Sequence, residues 1–177
     1  VPMRRHFGLL MPSLLTGLLL LAGCSTGGDL AVEIVPNADF EGDVYTFAAT
    51  GDAVNDGIFC DSGGWTWLGN ETADGDPMPN SMIEELIAAG EDFEMVVVNQ
   101  FECADGSGSI VVEELSTVKA SNPAGSAEDA GTVVGTWEVR SGSVNGDQIT
   151  GSGDILSQGN MQVSGSQRLL KGTLTSG

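Results

Sequence analysis

Residues 93–118, FEMVVVNQFECADGSGSIVVEELSTV, decide the fold. Phe93, Met95, Val97, Phe101 and Cys103 fall on one face of an extended chain, while Glu94, Gln100 and Glu102 fall on the other, the two-residue period of a strand with one buried side. Ala104 to Gly108, ADGSG, then supplies tight-turn residues before SIVVEEL. The spacing therefore predicts a hairpin of two strands, 93–103 and 109–118.

The same texture extends outward in both directions. Short runs of Val, Ile, Thr and aromatic residues alternate with Gly, Asn, Asp and Ser, and 26 glycines supply the turns. Strands are predicted at 43–50, 57–60 and 65–68 before the hairpin, and at 132–140, 148–156 and 167–175 after it. A second tight turn is expected at Asn145, Gly146 and Asp147. One segment reads as helix: Ser81 and Glu84 form a capping box, Ile83, Leu86 and Ile87 an apolar stripe, and Gly90 a stop. Residues 119–131, KASNPAGSAEDAG, read as a long exposed loop. The expectation is an all-β domain over 41–177, a single eight-stranded antiparallel β-barrel with one short helical insertion.

The start of the chain carries an address. Arg4, Arg5 and His6 precede the apolar run 7–22, FGLLMPSLLTGLLLLA, a length suited to a secretory signal and short for a membrane span. Leu21, Ala22, Gly23 and Cys24 resemble the bacterial lipobox, which implies lipidation of Cys24 and removal of residues 1–23. Residues 24–40 start with small and polar residues and show no sustained period, so they are read as a lipidated tether. The expected location is extracytoplasmic, in the cell envelope, with the membrane reached through the lipid.

Removing Arg4 and Arg5 takes the formal charge from −19 to −21. Such a surface repels phosphate backbones and anionic headgroups, so no nucleic-acid partner is expected. His6, the one histidine, leaves with the signal, which excludes Ser/His/Asp and Cys/His catalysis and His-ligated zinc from the mature chain. Cys60 and Cys103 remain as thiols in an oxidising compartment, most simply as a disulfide worth about 3–4 kcal/mol, with a two-thiol metal or redox site as the alternative.

Four constellations are candidates for function. Trp65 and Trp67 share a strand face and Trp137 adds a third large ring, fit either to line an apolar pocket or to fill the core. Glu138 and Arg140 share a face and suit steering of a polar ligand at a barrel mouth, or a surface ion pair. Glu71, Asp74 and Asp76 lie close together in a Gly/Pro-rich loop, as Ca²⁺ ligands or as a solvated loop. Glu113 and Glu114 are adjacent, point to opposite faces of a strand and cannot act together. No catalytic set and no cofactor is assigned.

FECADGSGSI at 101–110, GTWEVRSGS at 135–143, TGSGDI at 150–155 and GDAVNDGIFC at 51–60 resemble small secreted bacterial proteins with the allene oxide cyclase and dirigent type of barrel. The resemblance spans residue 43 to the C-terminus and rests on turn glycines, a cysteine pair and a tryptophan. It implies an eight-stranded antiparallel barrel, either filled or holding one small apolar ligand. The functional expectation is a binding or interaction module, with a cyclase or isomerase working in the lumen, or a structural envelope protein, as alternatives.

Overall fold

The computed structural model describes residues 28–39, 43–121, 131–158 and 167–177. The signal segment 1–23, Cys24, the first residues of the tether and most of the loop read at 119–131 lie outside the described residues. Eight strands run in order around a closed barrel, every neighbour antiparallel: β1 Leu30–Asp39, β2 Val44–Thr50, β3 Ser62–Glu71, β4 Phe93–Cys103, β5 Gly108–Val118, β6 Val133–Val144, β7 Asp147–Gln158 and β8 Gln167–Ser176. Helix α1, Asp52–Asn55, follows β2, and α2, Asn80–Ala89, follows β3. β1 closes the barrel on β8, with Ile34 opposite Leu170, so no strand among the described residues is left at a sheet edge.

The strand count agrees with the sequence reading, but two segments exchange roles. Residues 30–39, placed in the tether, form β1. Its inward residues are Val32, Ile34 and Pro36, all buried, while an outward Val35 blurs the alternation. Its hydrogen bonds come from β2 and from β8 at the far end of the chain, which no local pattern reveals. Residues 57–60, read as a strand, are a turn. The N–H groups of Ile58 and Phe59 both donate to Ala53 O. The segment is apolar because it stoppers the barrel end: Phe59 is 2% exposed and Ala53 fully buried.

The two hairpins form as expected. Gly106 N–H donates to Cys103 O, and Ser107 N–H to Asp105 Oδ1, in the turn after β4. Asn145 and Gly146 both have positive φ, 55° and 91°, the type I′ geometry whose twist matches the strands it joins. Helix α2 stops at Gly90 in the left-handed conformation, as predicted, with the N–H groups of Gly90 and Glu91 donating to Ile87 O and Leu86 O. Its start differs. The N-cap is Pro79, no side chain caps the helix, and the expected Ser81/Glu84 capping box is absent. The extended Pro79 sets the entry two residues earlier, which leaves Ser81 inside the first turn.

The barrel is packed at one end. Phe47 stacks on Phe59 at 5.6 Å and meets Phe101 edge-on at 5.4 Å. A Cβ on Gly63 would lie 2.6 Å from the Phe47 ring, so glycine there lets β3 close on this cluster. Cys60 and Cys103 are joined in a disulfide, with Cα atoms 5.7 Å apart, that fastens the turn after α1 to the end of β4. Such a bond belongs to an oxidising compartment.

Candidate functional site

The other end, where β1, β3, β5 and β7 finish, is not filled by the described residues. Here the inward faces of β2, β3, β4 and β8 bring Tyr45, Trp65, Trp67, Val97, Asn99 and Arg168 around a cavity of about 440 Å³. That lies within the roughly 300–1,000 Å³ usual for small-molecule sites. The walls are mainly aromatic. Tyr45 meets Trp65 edge-on with centroids 5.2 Å apart, and Trp65 Nε1 donates to Asn37 O at 3.0 Å, which fixes the ring. Trp67 is 51% exposed at the rim and donates from Nε1 to Asn70 Oδ1 at 3.2 Å. Val44, Leu68, Leu115 and Val133 are further exposed apolar side chains on the strands.

The floor is polar and buried. Asn99 lies at 0% exposure and Glu114 at 2%, on neighbouring strands, with Asn99 Nδ2 donating to Glu114 Oε1 at 2.7 Å. Arg168 Nε faces Glu114 Oε2 at 3.2 Å, and the guanidinium lies over the Trp65 ring, 5.6 Å from its centroid. Burial pushes the Glu114 carboxyl above the usual carboxylate range, against the opposing pull of Arg168 and of the Asn99 amide. A carboxyl so placed sits between two states: paired with Arg168 when charged, or protonated and neutral. Asn99 Oδ1 is buried and has no hydrogen-bond partner among the described residues.

The candidates from the sequence divide. Trp65 and Trp67 line the cup, as one of their two readings expects. Trp137 does not: it is 2% exposed and fills the core, reaching from β6 to donate to Lys171 O on β8 at 3.4 Å. Its register neighbour on β7 is Gly153, which in turn faces Gly172 on β8, so no side chain obstructs the indole. Glu138 and Arg140 are both exposed and face outward, not into the mouth. Arg140 holds Glu113 through Nε and both oxygens of Glu71 through its terminal nitrogens, so it laces β3, β5 and β6 on the outer wall. That guanidinium holds the Glu71 carboxyl below its ordinary range. Glu71, Asp74 and Asp76 therefore do not converge as Ca²⁺ ligands: Glu71 is committed to Arg140, Asp74 and Asp76 are exposed in the loop, and no acidic cluster fit for a metal occurs among the described residues. Glu113 and Glu114 do point to opposite faces, and it is the inward one that matters.

Asn99 and Arg168 escaped the sequence reading, and Glu114 entered it only as one of an adjacent pair, although a signal was present. Each occupies the inward parity of its strand: Asn99 between Val97 and Phe101, Glu114 after Ile110 and Val112, Arg168 before Leu170. A polar residue on an apolar parity was the mark of the site. No protein-family model, curated protein or solved structure matches this chain.

Proposed function

We propose that this chain is an exported, lipid-anchored binding protein whose half-open barrel holds one small, largely apolar molecule. The observation that carries the reading is the cup: aromatic walls over a buried Asn99–Glu114–Arg168 floor, at one end of a barrel whose other end is closed. Such pockets join a predominantly apolar lining to a few convergent polar groups. The resemblance to allene oxide cyclase and dirigent barrels supports the reading as far as an eight-stranded antiparallel barrel goes.

Lipidation of Cys24 accounts for the charged and apolar leader, and the disulfide agrees with life outside the cytoplasm. Residues 25–29 separate Cys24 from the start of β1, a reach of at most about 20 Å. β1 starts at the packed end, so a lipid on Cys24 would tether the domain by that end.

Mature domain purified under mild conditions should carry a bound small molecule in native mass spectrometry. An apolar-compound screen should give stabilising thermal shifts together with changes in tryptophan emission. A ligand at 100 times its Kd adds about 2.7 kcal/mol. Empty protein and a silent screen would defeat the proposal. One observation favours a cyclase or isomerase as the second reading, since a carboxyl with a raised pKa faces the lumen. Turnover of a bound substrate that vanishes in Glu114→Gln while binding persists would establish it.

A further inference from the structure

We infer that the cup selects a neutral molecule with a flat aromatic body whose polar end places an N–H donor beside a carbonyl acceptor, as a carboxamide or lactam does. The inference rests on the cup reading and names the ligand class for it.

One unmet acceptor and one solvent-accessible donor at the floor set this chemistry. Asn99 spends its amide nitrogen on Glu114, which fixes the orientation of the group and leaves Oδ1 as a buried acceptor without a partner among the described residues. An acceptor in that position calls for a donor. Arg168 spends Nε on Glu114, and its side chain is 21% exposed beside the cup, so a ligand acceptor can take the place of water at its terminal nitrogens. One polar end with a donor beside an acceptor answers both.

Charge decides against the obvious rival, a carboxylate. When charged, Glu114 neutralises Arg168, so an incoming anion has to displace a buried carboxylate from its partner, and in either state of Glu114 an anion supplies no donor to Asn99. A cation meets Arg168 at the place over Trp65 where it would stack. A neutral ligand leaves the pair intact. The flat body follows from the walls, where Tyr45, Trp65 and Trp67 offer ring surfaces. Asn99 Oδ1 is closed to solvent, whereas the Arg168 side chain is 21% exposed, so Arg168 is the group that shifts to admit the donor.

The test is a titration of four probes at pH 7 by calorimetry, with the Trp65 and Trp67 indole N–H resonances followed by NMR. The probes are 2-naphthamide, N,N-dimethyl-2-naphthamide, 2-naphthoate and 2-methylnaphthalene. Naphthamide should bind at least about ten-fold more tightly than each of the others, the scale of one satisfied buried hydrogen bond. Asn99→Leu should reduce its advantage over the dimethyl amide to about two-fold or less, while Arg168→Met, which keeps Asn99 in place, should weaken both amides alike. If Asn99→Leu does not fold, the ranking of the four probes on the wild-type chain decides alone. Naphthoate binding most tightly, or equal affinities for the two amides, would overturn the inference and leave the cup standing. Silence from all four probes, methylnaphthalene included, would overturn the inference and the cup together.

Discussion

Replacing Glu114 by leucine tests the buried floor most directly. The carboxylate sits at 3% side-chain exposure between Asn99 Nδ2 and Arg168 Nε, so leucine removes the partner of both. Breaking a fully buried pair costs about 3–5 kcal/mol. Arg168 is one-fifth exposed and can turn toward water at the mouth, which relieves part of that. The Asn99 amide cannot, and an unsatisfied buried donor costs about 1–3 kcal/mol. Together these give a loss near 3 kcal/mol, or about 6–12 °C in Tm for a domain of this size. Arg168→Met should cost less, about 1–2 kcal/mol, because Glu114 escapes isolation by taking up a proton, the direction in which burial already pushes it. The double variant should be less destabilised than the single Glu114→Leu, since both charges then leave the interior together. Urea denaturation of all four proteins at pH 7 yields the coupling. Additivity of the two single losses within about 0.5 kcal/mol would refute the floor as an energetically connected unit.

The disulfide closes a loop spanning a sequence separation of 43, for which the chain-entropy relation gives about 4 kcal/mol; Cys60→Ala with Cys103→Ala should lower stability by that order in a chemical melt. Acidification should separate two carboxyls by sign. Glu114 has its folded pKa raised, so its contribution is greatest below the unfolded pKa and is lost as pH climbs through the folded value. The stability of wild type relative to Glu114→Gln should accordingly fall as pH rises above about 4.3. Glu71 has its pKa lowered by Arg140, so wild type relative to Glu71→Gln should lose stability as pH falls below that same value. Trp67→Ala, at a half-exposed rim position, should cost under about 1 kcal/mol in stability yet weaken any aromatic ligand, whereas Phe101→Ala in the packed end should cost about 3–5 kcal/mol.

What the sequence revealed follows the range of the interactions involved. The hairpin of β4 and β5, the Asn145–Gly146 turn and the Gly90 stop are set by neighbours within a few residues, and each was legible. β1 was not, because its partners are β2 and β8, because an outward Val35 blurs the alternation that marks a half-buried strand, and because Pro36 has no N–H to give a ladder. The apolar GIFC segment misled for a related reason: apolar character reports burial, and burial under a stopper looks the same as burial in a strand. The cup was half legible. Trp65 and Trp67 were visible as a same-face pair, and Trp137 looked equivalent to them until its reach toward Lys171 O, unobstructed by side chains at Gly153 and Gly172, placed it in the core. Arg140 and Glu138 shared a parity in the sequence, but parity alone does not say which face of a barrel is the inner one.

The arrangement of the floor argues for its use. Asn99, Glu114 and Arg168 lie on β4, β5 and β8, far apart in the chain, and each takes a position where its strand alternation calls for an apolar side chain. A single polar lapse on an inner face needs only local compensation. Three that meet at one place and leave an acceptor unmet are a costlier arrangement than the apolar layer they replace, since buried ion pairs commonly yield no net gain over well-packed hydrophobic groups. The packed end meanwhile concentrates what holds the barrel together: the Phe47–Phe59–Phe101 cluster, the α1 stopper and the disulfide. Stability is thus gathered at one end of the strands, and the local rules are broken at the other, where the described residues leave the aromatic cup. Such departures from consistency are expected at functional or strained sites. A barrel built for rigidity alone has no use for a buried carboxyl beneath an aromatic cup, and this supports the proposed binding reading.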